Sequence, residues 1–186
     1  MKNIFVILLA FLFVNASFAQ VSETSDPAAK AILEKLRNKY ETYKTVEADF
    51  NLTIEIPEED EEVQTGNLAQ DGEKYRLSLD NQAIYSDGKT LWLYLKNNNE
   101  VQINNVEDFE EEDEDFLSPK DLLRIYEQED FIYGLTNEGY EEGVAIQQIE
   151  FKPIDKDSEY AKMRLTIDKK KNQIMRIKAF AVDGAR

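Results

Sequence analysis

The chain has 186 residues, with 38 Asp and Glu against 22 Lys and Arg for a net charge of −16, and it contains neither His nor Cys. That is one domain's worth of sequence, long enough to bury a core. Lack of Cys excludes disulfides, thiol nucleophiles and lipid-modified cysteine, and lack of His excludes imidazole metal sites and Ser-His-Asp chemistry. The negative charge argues against binding nucleic acid. So little reactive chemistry favours a binding or carrier role over catalysis, with no cofactor and no metal expected.

Lys2 followed by the apolar run Ile4 to Val14 and the small residues Ser17 and Ala19 has the layout of a secretory signal peptide spanning residues 1–19. The run is shorter than the roughly 20 apolar residues of a membrane-spanning helix. Residues 20–186 are expected to form a single exported, soluble domain.

Asp26-Pro27 is a helix start, with Asp as N-cap and Pro in the first turn. Ala29, Leu33, Leu36, Tyr40 and Tyr43 then recur at three- and four-residue steps, the period of an amphipathic helix. From Phe50 the period becomes two: Phe50, Leu52, Ile54 and Ile56 alternate with polar residues, as in a strand with one buried face. Pro57 and the acidic stretch Glu58 to Glu62 turn the chain, and residues 63–70 return.

Alternation continues through Tyr75, Leu77 and Leu79 and through Ala83, Ile84 and Tyr85. Asp87-Gly88 supplies a tight turn into Leu91 to Leu95, and Asn97 to Asn99 turn again into Val101 and Ile103. The 91–95 strand is apolar on both sides, so alternation does not assign a face to Trp92 or Tyr94. The acidic run Glu107 to Asp115 reads as a solvated loop. Calcium ligation and docking to a basic partner are the alternatives weighed for it, although no EF-hand spacing is present. Ser118-Pro119-Lys120-Asp121 opens a short helix carrying Leu122, Leu123, Ile125 and Tyr126. Strands resume at 131–135, 144–151, 160–168 and 173–182, with a turn over Lys169 to Asn172.

This is an antiparallel meander with two helices inserted. The expected fold class is α+β, mainly antiparallel β. Its architecture is an open, curved half-barrel sheet with the N-terminal helix and a short lid helix on the concave face. Phe50, Leu52, Ile54, Ile56, Tyr75, Leu77, Ile84 and Leu93 form either an ordinary filled core or the lining of a cavity for apolar ligands. Leu122, Leu123, Ile125 and Tyr126 form either a packed helix or a lid.

Five stretches resemble a known family. Tyr85-Ser86-Asp87-Gly88-Lys89-Thr90-Leu91-Trp92-Leu93-Tyr94 resembles the "SDGKTLW-Y" signature of the LolA family of periplasmic lipoprotein carriers. Val46 to Phe50 resembles the opening of that family's first strand. Gly66-Asn67-Leu68 with Lys74-Tyr75-Arg76 resembles its hairpin return. Ser118-Pro119 with Leu122-Leu123, and Phe151-Lys152-Pro153, resemble its lid and a strand end. The resemblance runs in order from about residue 28 to the C-terminus.

It implies an open half-barrel, with the eight apolar residues as cavity and the helix as lid. It also implies a periplasmic, monomeric carrier that takes acylated lipoproteins from an inner-membrane transporter and delivers them to an outer-membrane acceptor. A half-barrel domain that senses lipid or lipoprotein through protein contacts is the runner-up. Two departures stand out. Asp71-Gly72 occupies the place of an Arg-Pro pair that latches the lid in relatives, so no Arg latch carries over to this chain; Arg76 and Arg124 are the available substitutes. Relatives also continue with further strands past the position of Asp183-Gly184. An unpaired edge is therefore expected after Val182.

Overall fold

The structure is a computed structural model that describes residues 24–108, 123–127 and 129–186. Helix α1 (Pro27–Glu41) begins as its sequence requires: the Asp26 carboxylate accepts from the Ala28 N–H at 2.8 Å, and Pro27 takes the first turn. Its C-terminus is closed by Thr42, whose hydroxyl donates to the Lys39 carbonyl at 2.6 Å. Ala29, Leu33 and Leu36 are its buried stripe.

Among the described residues, ten antiparallel strands follow in two sheets. The first holds β1 (Thr45–Ile54), β2 (Glu62–Asp71), β3 (Lys74–Ser78), β4 (Gln82–Ser86), β5 (Thr90–Leu95) and β6 (Glu100–Asn105) in sequence order. The second holds β7 (Phe131–Glu141), β8 (Val144–Pro153), β9 (Tyr160–Asp168) and β10 (Gln173–Ala181), also paired consecutively. The single meander expected from the sequence is therefore broken once. The long interval between Asn105 and Phe131 imposes no hairpin, and β6 and β7 become outer strands of different sheets.

The filled core belongs to the four-stranded sheet. Leu33 and Leu36 of α1 meet Tyr133, Ile149, Phe151, Leu165 and Ile167, and Ile125 and Tyr126 of a 3₁₀ turn (Ile125–Glu127) join the same cluster. The outer edge of β7 is covered by the chain entering α1. The Asp26 N–H donates to the Tyr133 carbonyl at 2.9 Å, and Ser25 Oγ accepts from the Tyr133 N–H at 3.3 Å. These contacts occupy groups that would otherwise invite another strand.

The two sheets meet edge to edge at Glu55. Its N–H donates to the Arg186 carbonyl at 2.7 Å, and the Arg186 N–H donates back at 2.9 Å. The Glu55 carboxylate accepts from Lys178 at 3.0 Å and from Arg186 at 2.5 Å. The backbone edge expected to be open after Val182 is thus bridged, and the Val182 N–H itself donates to the Glu159 carbonyl at 2.9 Å.

This join also orients the faces. Lys178 stands opposite Arg164 and so projects from the face of its sheet turned away from α1, while Leu165 and Ile177 take the α1 side. Glu55 follows Ile54, and successive strand residues alternate faces. The Ile54 face of the six-stranded sheet therefore lies on the same side of the molecule as α1, which is the arrangement of an open half-barrel.

Candidate ligand-binding face

Strand register decides which side chains share a face. Phe50 pairs with Gly66, Leu52 with Gln64 and Ile54 with Glu62; Leu68 pairs with Leu77, Leu77 with Ile84, and Ile84 with Leu93. Tyr75 lies two residues before Leu77. Phe50, Leu52, Ile54, Tyr75, Leu77, Ile84 and Leu93 are consequently brought together on one face, with Val46, Ala48, Leu68 and Leu95 extending it. Ile56 falls beyond the end of β1 and is 43% exposed. None of the seven is fully buried, and Leu52 is 37% exposed. Along β1, Val46 and Ile54 are about 26 Å apart at 3.3 Å per residue. At the Val46 end an open recess of about 390 Å³ is lined from both faces, by Val46, Gln70, Tyr75 and Ser86 of this one and by Thr45, Glu47, Ala69 and Arg76 of the other.

Alternation missed three members of the face, Gly66 and Ser86 because they are not apolar and Leu91 because its strand is apolar on both sides. A Cβ on Gly66 would stand 2.3 Å from Phe50 Cζ, so the Phe50 ring lies flat across β2 and only a glycine admits it. Leu91, 1% exposed, and Ser86, 7% exposed, close the β4–β5 end.

Trp92 takes the other face. It pairs with Tyr85 on one side and Ile103 on the other, and Tyr94 pairs with Val101, so a second apolar patch lies on the outer surface. Ile103 there is 65% exposed.

The stretch with the most specific family resemblance builds a turn. The Asp87 carboxylate accepts from the Thr90 and Lys89 N–H groups at 2.8 and 2.9 Å, which holds its pKa below the ordinary aspartate value. Gly88 adopts φ +91°, and Ser86 Oγ accepts its N–H at 3.1 Å.

The lid candidates sit elsewhere. Leu122 lies outside the described residues. Leu123 packs against the core of the four-stranded sheet, and Ile125 and Tyr126, 4% and 6% exposed, are inside it. Burial first of all raises the Tyr126 hydroxyl pKa. Arg124 is paired with Glu41 of α1 at 2.8 Å, which raises its pKa, and Arg37 of α1 is paired with Glu127. Arg76 projects from the Trp92 face and donates to Asn67 at 2.8 Å. Asp71 and Lys74 flank a two-residue turn in which Gly72 has φ +62°, a conformation closed to the proline of the relatives.

On the outer face of the four-stranded sheet, burial pushes the Glu150 pKa up. Hydrogen bonds from Lys162 and Arg164 outweigh that and leave it below the ordinary value. Among the described residues no group of three or more acidic side chains is placed to hold a metal ion. No described helix is long and apolar enough to cross a membrane.

No family model matches the chain. An uncharacterized protein of Methanocaldococcus jannaschii is 32% identical over 96 residues, which are 52% of this chain and 28% of that relative's length. Among solved structures, the chain is similar to a Vibrio parahaemolyticus domain assigned to outer membrane lipoprotein sorting, with TM-score 0.47, 15% identity, and coverage of 83% of this chain and 72% of that one. A DUF1329 family protein from Desulfovibrio piger gives TM-score 0.44 at 14% identity, covering 83% and 74%. A LolA superfamily protein from Nitrosomonas europaea gives 0.39 at 16%, covering 84% and 73%. The family whose motifs the sequence resembles is thus among its structural neighbours.

Proposed function

We propose that this protein is a non-enzymatic periplasmic carrier that shields the acyl chains of lipoproteins on the inner face of its six-stranded sheet. In this reading it receives them from an inner-membrane transporter and passes them to an outer-membrane acceptor. The observation that carries the reading is the apolar face formed by Phe50, Leu52, Ile54, Tyr75, Leu77, Ile84 and Leu93 on the α1 side of the molecule, left half-open while the core under α1 is filled. A buried core of that composition needs no second apolar face on the same side of the molecule, and an exposed one is a binding surface or a liability.

Energetics set the division of labour. Each methylene leaving lipid costs about 0.8 kcal/mol, so a triacyl anchor of roughly 48 methylenes amounts to about 38 kcal/mol. Non-covalent affinity saturates near roughly 20 kcal/mol. Extraction therefore falls to an energised partner, and the face only has to keep the chains from water afterwards.

The test is titration with a fluorescent fatty-acyl probe. Leu77→Asp, at the middle of the face, is expected to weaken binding more than tenfold, since the ligand would have to desolvate a carboxylate. Ile103→Asp, on the opposite face, is expected to leave affinity unchanged. Equal affinity in both variants would overturn the assignment.

A further inference from the structure

Gln64 is a buried polar residue on the apolar face. It stands opposite Leu52 in the β1–β2 register, two residues from Gly66, and is 9% exposed. Its side-chain Nε2 donates to the Glu62 carboxylate at 2.6 Å. That contact fixes the orientation of the amide, because the flipped form would set two oxygens against each other. The amide oxygen Oε1 is then buried with no hydrogen-bond partner. An acceptor in that condition is costly to keep, and one placed on a binding surface marks where a donor belongs.

We propose that Gln64 Oε1 receives a hydrogen bond from the head of the bound acyl ligand, and that the face consequently selects acyl chains carrying an uncharged amide N–H next to the acyl carbonyl. The proposal rests on the acyl-carrier reading above and adds orientation and head-group choice to it. Gln64 sits near the Ile54 end of the β1–β2 pair. A chain held there by its head has Gly66 and Phe50, then Leu68 and Ala48, then Val46 and the recess ahead of it. The Glu62 carboxylate beside Gln64 disfavours an anionic head at the same place. Because Oε1 is shut off from water, the arriving donor has to displace a neighbour. Leu52, directly across the register and 37% exposed, is the side chain with room to give way.

The experiment compares two matched probes, N-palmitoylglycine methyl ester and its N-methylated counterpart N-palmitoylsarcosine methyl ester, which lacks the N–H. The native chain is expected to bind the first about tenfold more tightly, the scale of one buried hydrogen bond made or missed. Gln64→Leu is expected to bring the ratio close to one while leaving the N-methylated probe's affinity within about twofold. Gln64→Met serves if the leucine variant folds poorly. Equal binding of both probes by the native chain, or a preference that survives removal of Gln64, overturns the proposal and leaves the acyl reading standing. If neither probe binds, the acyl reading itself falls and this inference with it.

Discussion

Phe50 does not stand up from its strand; its ring covers Gly66, and the pair behaves as one unit of the apolar face. Gly66→Ala would place a methyl where the ring now lies and force Phe50 to swing off β2. The expected cost is about 1–2 kcal/mol, in the range of overpacking, read from urea unfolding. The double variant Phe50→Ala/Gly66→Ala should be less destabilised than the sum of the two single ones, because the clash exists only when both side chains are present. Strict additivity would show that ring and glycine are not coupled. This pair also marks the limit of what the sequence discloses at single positions. Phe50 is evident from the phase it shares with Leu52 against Asn51 and Thr53, whereas the need for Gly66 arises only from pairing across the hairpin. Gln64 was invisible for a similar reason: a glutamine in a strand is ordinarily a solvent-side residue, and only the register puts this one on the Leu52 face.

Among the elements, β9 (Tyr160–Asp168) matched its expected span and β10 (Gln173–Ala181) came within a residue. By contrast, β1 (Thr45–Ile54) begins well before the Phe50 at which alternation sets in, and β7 (Phe131–Glu141) runs on past the expected 135, because its Thr136 to Gly139 carry no apolar phase. Strand β5 was not assignable, since Leu91, Trp92, Leu93, Tyr94 and Leu95 offer no polar phase. Its neighbours settle it: Leu93 faces inward with Ile84, and Trp92 outward between Tyr85 and Ile103. The chain has a single Trp, which turns the assignment into a measurement. A bound dibrominated stearate quenches indole emission on contact. It should leave Trp92 nearly unaffected and should quench strongly a Trp moved one position, in the variant Trp92→Phe/Leu93→Trp. Strong quenching of native Trp92 would put the ligand on the wrong side of the sheet. The short helix expected over 118–126 could not be placed from its sequence either. Its apolar residues satisfy a core and a lid equally well, and Ile125 and Tyr126 found their partners in α1 and β7.

At the scale of the whole molecule, apolar periodicity announces that a face must be covered but not by what, so the helix on the four-stranded sheet and the open six-stranded face had to be seen. Least legible was the join, where Glu55 and Arg186 meet across most of the chain's length and no local pattern connects them. The Glu55 carboxylate holds it together on the outer side. Hydrogen bonds from Lys178 and then Arg186 lower its pKa below the ordinary glutamate value. A group whose pKa is lower folded than unfolded adds stability that is fully present above the unfolded value of about 4.3 and is lost as pH falls through the folded one. Glu55→Ala should therefore unfold less cooperatively than the native chain at pH 7, with faster amide exchange at Glu55 and Arg186 as the two sheets open separately. Below the folded pKa of Glu55 the difference should disappear, because the native carboxylate is then neutral as well. A variant that unfolds like the native chain at pH 7, with unchanged protection at both amides, would mean that the backbone pair alone keeps the half-barrel in one piece.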